Sequence, residues 1–230
     1  MRIPNTYLLN DNLNSNNEKT VKDIPEEIMI PLEPINFISD LEDDKSYKRL
    51  IKQIESIVRT SFEYQEFRSY LVNEMNMSTC AYLEGLSSVD SNRIKIELHH
   101  TPFTLYDIVE IVVNKHKLEK GVIYPIDIAE EVMELHFRGV VGLIPLSTTV
   151  HELVHSGVVF VPLNYIFGNF KQFVEEYEPY IKTETKNALR ENIKVSKEFV
   201  KVPDILRPKY MYMEDGYSLP KTDIFNFTNE

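Results

Sequence analysis

The chain has 230 residues, 43% hydrophobic and 27% charged, an ordinary globular composition long enough for one sizeable domain or a small core with appendages. Its 36 acidic residues outnumber its 25 Lys and Arg, and the net charge of −11 counts mildly against nucleic acid as a partner, because phosphate contacts need cations. No apolar run approaches the roughly 20 residues that a membrane span needs. Residues 1–17 lack the apolar centre of a signal peptide. Cys80 alone makes neither a disulfide framework nor a Cys-built zinc knuckle, so a reducing, intracellular setting is expected.

Residues 1–43 read as an extended arm, rich in Asn, Pro and acidic residues, able to lie over a partner or over the body of the protein. From 44 to 77 the apolar spacing turns helical, with Leu50, Ile51, Ile54 and Val58 followed by Phe62, Phe67, Tyr70 and Leu71. This predicts two helices or one bent helix. Cys80–Leu83 and Ile94–Leu98 are short β-prone runs separated by Gly85, Ser and Asp residues, the pattern of a hairpin. Thr104 with Asp107 forms a capping-box pattern opening a helix that Gly121 stops, and a second helix ends at Gly139. "VVGLIPLS" reads as a short strand. "TTVHELVHSG" reads as a helix of about two turns, closed by Gly157. Helices are expected over 169–181 and 183–200, and 203–230 reads as an irregular tail.

All six histidines fall between positions 99 and 155. His151 and His155, at i and i+4, stand one above the other on a helix and can share one metal ion. His99 and His100 end a strand, where adjacent side chains point to opposite faces. That suits a division of labour, one histidine as metal ligand and the other as a base that activates water.

"IELHHTP" followed by "GLIPLSTTVHELVHSG" resembles the HNH (ββα-metal) endonucleases, especially the colicin-type DNases and phage-encoded HNH proteins. The resemblance covers residues 78–160. It implies an α+β fold with a ββα-metal core built from a hairpin, a short strand and a two-turn helix. Residues 102–139 would be a helical insertion, with further helices on both sides. It also implies His99, His151 and His155 as ligands of one divalent metal (Mg, Mn, Ni or Zn), and His100 as general base. The family's middle Asn, which orients the base, falls at Gly142. His136 is a candidate replacement as orienter or phosphate contact; otherwise it caps its helix. His116, between Lys115 and Lys117, is expected at a solvated helix end.

His151-Glu152-Leu153-Val154-His155 also fits the HExxH pattern of zinc peptidases, with Glu152 as base and Glu175 as third ligand. Gly157 stops the helix too early for that family. Thr149 and Glu152 instead form a capping-box pattern, and Glu175, Glu176 and Glu178 read as a solvated helix face. Lys182, Lys186, Arg190 and Lys194 recur every fourth residue, either a basic ridge for a phosphate backbone or a solvated helix with charge pairs.

The expected function is a metal-dependent HNH-type endonuclease acting on nucleic acid, DNA rather than RNA, in a host cytoplasm if phage-encoded. A non-catalytic scaffold or assembly component with a structural metal, its arm available to a protein partner, is the alternative. A zinc peptidase comes third.

Overall fold

The computed structural model describes residues 35–36 and 43–199, apart from Glu84 and Asn92. The tail over 203–230, and all of the arm except 35–36 and 43, lie outside the described residues. Two helices, not one bent helix, follow the arm. α1 (Asp44–Thr60) is capped by Asp43, whose carboxylate accepts from the Ser46 N–H at 2.7 Å. Ser61 ends α1 and caps α2 (Phe62–Asn73), because its extended backbone (φ −64°, ψ 151°) frees its hydroxyl to accept from Tyr64 N–H.

Among the described residues, two short antiparallel pairs make up the sheet structure. β1 (Ile35–Asn36) pairs with β3 (Val122–Ile123), so this described piece of the arm lies on the body. β2 (Ile96–His100) pairs with β4 (Leu143–Ser147) in a five-residue register that sets His99 opposite Ile144 and Glu97 opposite Leu146. The expected hairpin is therefore corrected. The Cys80–Leu83 run folds back on its own turn through a Thr79–Ser87 bridge and gives β4 one backbone–backbone bond, Ala81 N–H to Pro145 O at 2.8 Å. β2 instead takes the longer, fully buried β4 as partner, although residues 101–142 intervene; the entropy of closing a loop grows only slowly with its length.

Those intervening residues form α3 (Leu105–Lys120), β3 and α4 (Pro125–Phe137). The Thr104–Asp107 capping box is formed, and Gly121 takes the left-handed conformation that ends α3. Pro125 sits at the start of α4, where its missing N–H costs nothing. α3 is buried nearly all round and packs on α1 and α4, so this segment supplies the principal core together with α1.

α5 (Thr148–His155) leaves β4 directly and packs across both strands. α6 (Phe170–Tyr177) and α7 (Thr183–Phe199) complete the α+β fold, with 3₁₀ turns at Leu163–Tyr165 and Glu178–Tyr180. No helix among the described residues is long and apolar enough to cross a membrane.

Candidate metal centre

β2 alternates. Glu97 and His99 face α5, while Leu98 and His100 face the helical core, and Ile96 at the strand's start packs in the apolar cluster beneath α5. α5 begins two residues earlier than its Thr149–Glu152 pattern predicts. The strand ends at Ser147 in extended conformation (φ −65°, ψ 153°), and that residue caps the helix, leaving Thr149 exposed within its first turn. The helix runs eight residues, and Gly157, with φ +73°, follows its end. Its two turns carry His151 and His155 over His99.

The three imidazoles form one cluster, with one ligand nitrogen from each lying within 4.8 Å of the others. His151 and His155 bring their Nε2 atoms to 3.1 Å. His99 meets them edge to face, with ring centroids 5.0 and 5.1 Å away. Behind His151, Glu97 Oε2 lies 2.8 Å from Nδ1. A carboxylate on the outer nitrogen fixes tautomer and ring orientation, leaving Nε2 toward the cluster. Lys95 in turn holds Glu97 at 2.6 Å and, with burial opposing, keeps its carboxyl below the usual range. Burial, aided by the neighbouring rings, pushes His99 down to about 4, and burial lowers His151 against the pull of Glu97. Both therefore stay neutral near pH 7, the form that ligates metal.

His100 points into the helical core, where it is 5% exposed and stacked on Tyr64. His136 joins it there. Its Nδ1–H donates to Val132 O at 2.7 Å, so its bare Nε2 accepts the His100 Nε2–H at 3.0 Å. His136 thus holds His100 and does not cap α4. Phe67 and Tyr64 meet His136 edge-on. Burial pushes His100 well below its ordinary range and His136 down to about 4.

Gly142 is where two backbones touch. A Cβ there would lie 2.0 Å from Thr101 O and 2.9 Å from Ile166 Cγ2, so the position admits glycine. Neither Glu152 nor Glu175 joins the histidine group, and both are exposed.

The remaining expectations change more. His116 is buried, not solvated: its Nε2 lies 2.7 Å from Glu131, which also accepts from Lys115 at 2.8 Å and Tyr177 at 2.6 Å. A polar cleft of about 420 Å³ opens beside this hub, and its walls include none of the metal-centre histidines. On the α7 ridge three cations meet carboxylates and Arg190 meets an amide. Lys182 bonds Glu110 at 2.8 Å, Lys186 bonds Glu178, Arg190 bonds Asn187 at 2.9 Å and Lys194 bonds Glu191 at 2.6 Å.

Sequence reasoning assigned no role to Glu97, Tyr64 and Phe67. Glu97 was signalled by its two-residue spacing from His99 on one strand face. The two aromatics carried only the signal of an apolar helix face.

No curated protein and no solved structure matches the chain. A family model described as Bacteriophage G278-like virion protein matches residues 1–229. The chain therefore belongs to the Bacteriophage G278-like virion protein family.

Proposed function

We propose that this protein is a structural component of the phage particle, in which one divalent metal ion on His99, His151 and His155 ties β2 to α5 without serving catalysis. The observation that carries this reading is the position of His100. A general base has to reach a water beside the metal. His100 lies on the opposite strand face from His99, is 5% exposed, and has its Nε2–H engaged by His136. Membership of a virion protein family supports a part in the particle. Three of the four α7 cations are paired with carboxylates and the net charge is −11, which counts against that helix as a nucleic-acid track.

The donor set fits a metal. Three imidazoles, one backed by Glu97, suit zinc, nickel or another late first-row ion better than magnesium, which prefers oxygen.

An HNH-type endonuclease is the second reading, favoured by one observation. His155 is exposed, and three protein ligands leave a coordination position open, as in catalytic zinc sites. A bound ion would supply Lewis acidity toward a phosphate oxygen.

One experiment separates the two. The purified protein is assayed for metal content and incubated with supercoiled plasmid and Mg²⁺, Mn²⁺, Ni²⁺ or Zn²⁺, beside His100→Ala, and purified particles are analysed by mass spectrometry. The structural reading expects one equivalent of metal, no nicking and the protein present in the particle. Nicking that His100→Ala abolishes overturns it in favour of the nuclease.

A further inference from the structure

We infer that the metal is the latch of α5: its occupancy switches α5 and the segment behind it between docked and released states, and release uncovers Cys80. This rests on the metal-centre reading above.

α5 has little else to hold it. Eight residues are fewer than the roughly 12–15 that an autonomous helix needs. Val150 is the one fully buried side chain of the helix, Val154 is partly buried, and Leu153 is 36% exposed. The apolar cluster beneath is small, eight buried residues that include Cys80, Ile96, Leu146 and Val150, and it is separate from the large core around α1, α3 and α4. The polar links are the Ser147 cap, the Thr148 N–H to Lys95 O bond at 3.3 Å and the His151–Glu97 contact. The histidines, by contrast, are split between elements, His99 on β2 and two on α5. A shared ion is therefore a cross-link from strand to helix. Without it the close nitrogens have the 3.1 Å contact between His151 and His155, which joins α5 only to itself.

Cys80 reports the state. It is the single cysteine of the chain, 4% exposed, and its sulfur accepts from Ser147 N–H at 3.3 Å while the thiol faces Ser147 Oγ at 3.7 Å. Ser147 is the cap of α5 and Val150 packs in the same cluster, so lifting the helix strips the cover from the sulfur.

An ion that binds only the docked state lowers the released population by the factor 1 + [M]/Kd, about a hundredfold when free metal is about 100 times Kd. The test uses the full chain and zinc. Kd is measured by calorimetry; then the rate of Cys80 modification by a thiol reagent and amide exchange by mass spectrometry are followed against buffered free zinc. The labelling rate should fall as 1/(1 + [Zn]/Kd). Exchange should slow over residues 148–166 and stay unchanged in α1 and α3. His155→Ala, which removes an exposed ligand and leaves the core intact, should label fast at every zinc level, and Cys80→Ala should bind zinc with unchanged Kd. Zinc bound at one equivalent with an unchanged labelling rate overturns the latch and leaves the metal centre standing. So does uniform slowing of exchange through α1 and α3, or zinc binding lost in Cys80→Ala. Zinc that does not bind at all sinks the metal centre and the latch together.

Discussion

Gly142→Asn restores the residue that the endonuclease pattern asks for, and the geometry refuses it. Any Cβ at 142 meets Thr101 O at 2.0 Å and Ile166 Cγ2 at 2.9 Å. The oxygen is backbone and cannot swing aside. Its own residue donates an N–H to Gly142 O at 3.0 Å, so relief means parting the strand ends and stretching that bond. Overpacking costs about 1–3 kcal/mol, and a lost hydrogen bond about 1 more. The variant should lose roughly 2–4 kcal/mol, which for a chain of this size is a Tm drop of roughly 10 °C. Thermal unfolding followed by circular dichroism, on wild type, Gly142→Ala and Gly142→Asn, measures it. Alanine should already cause most of the loss, because the clash belongs to the Cβ. Neither variant should nick plasmid DNA. An asparagine variant that melts with wild type, or that gains nicking, refutes the steric argument and reopens the nuclease.

Glu97→Ala removes the acceptor behind His151 and should weaken zinc binding about 10- to 100-fold by calorimetry, with α1 and α3 unaffected; an unchanged Kd would show that Glu97 orients nothing. Burial pushes Glu131 up, but bonds from His116, Lys115 and Tyr177 outweigh it and bring the carboxyl down to about 2 from an ordinary 4.5. Its contribution is thus fully present above about pH 4.5 and is lost as pH falls through 2, and it is worth roughly 3 kcal/mol. Urea unfolding of Glu131→Gln should show that deficit at pH 7 and a shrinking one toward pH 2; a pH-independent deficit contradicts the assignment. His136 runs the other way in charge: buried neutral, it is held down to about 4 from 6.5. Stability is then complete above about pH 6.5 and falls by roughly 3 kcal/mol toward pH 4 in metal-free protein, a slope that His136→Phe should flatten.

Where a local pattern carried the physics, the sequence was legible. The Thr104–Asp107 box, the Gly121 stop and the two-turn α5 closed by Gly157 all follow from a few adjacent residues. That His99, His151 and His155 come together was legible as well, since helical and strand periodicity each constrain them. What stayed hidden was non-local. β2 pairs with a strand more than 40 residues on, and nothing in Cys80–Leu83 says that it will fold on itself instead. His116 looked solvated because Lys115 and Lys117 flank it; its carboxylate partner sits on the next helix. The sequence left the α7 ridge as either a free cationic stripe or a paired helix, because Glu110, the partner of Lys182, lies 72 residues away.

Strand parity is what divides the histidines, and it bears on catalysis more than the helix motif does. A His-x-x-x-His helix is common to peptidase, nuclease and staple, so it cannot choose among them. The adjacent pair can. With β2 packed between α5 on one face and α2 on the other, His99 and His100 are committed to different environments, one toward the half-open cluster and one into an aromatic cage of Tyr64 and Phe67 with His136. Turning His100 outward would require a one-residue slip of β2, which would also bury Glu97 and lift Ile96 and Leu98 from their clusters. The fold thus resists delivering a base to the histidine cluster from this strand, and Glu97, on the same face as His99, is left to orient His151.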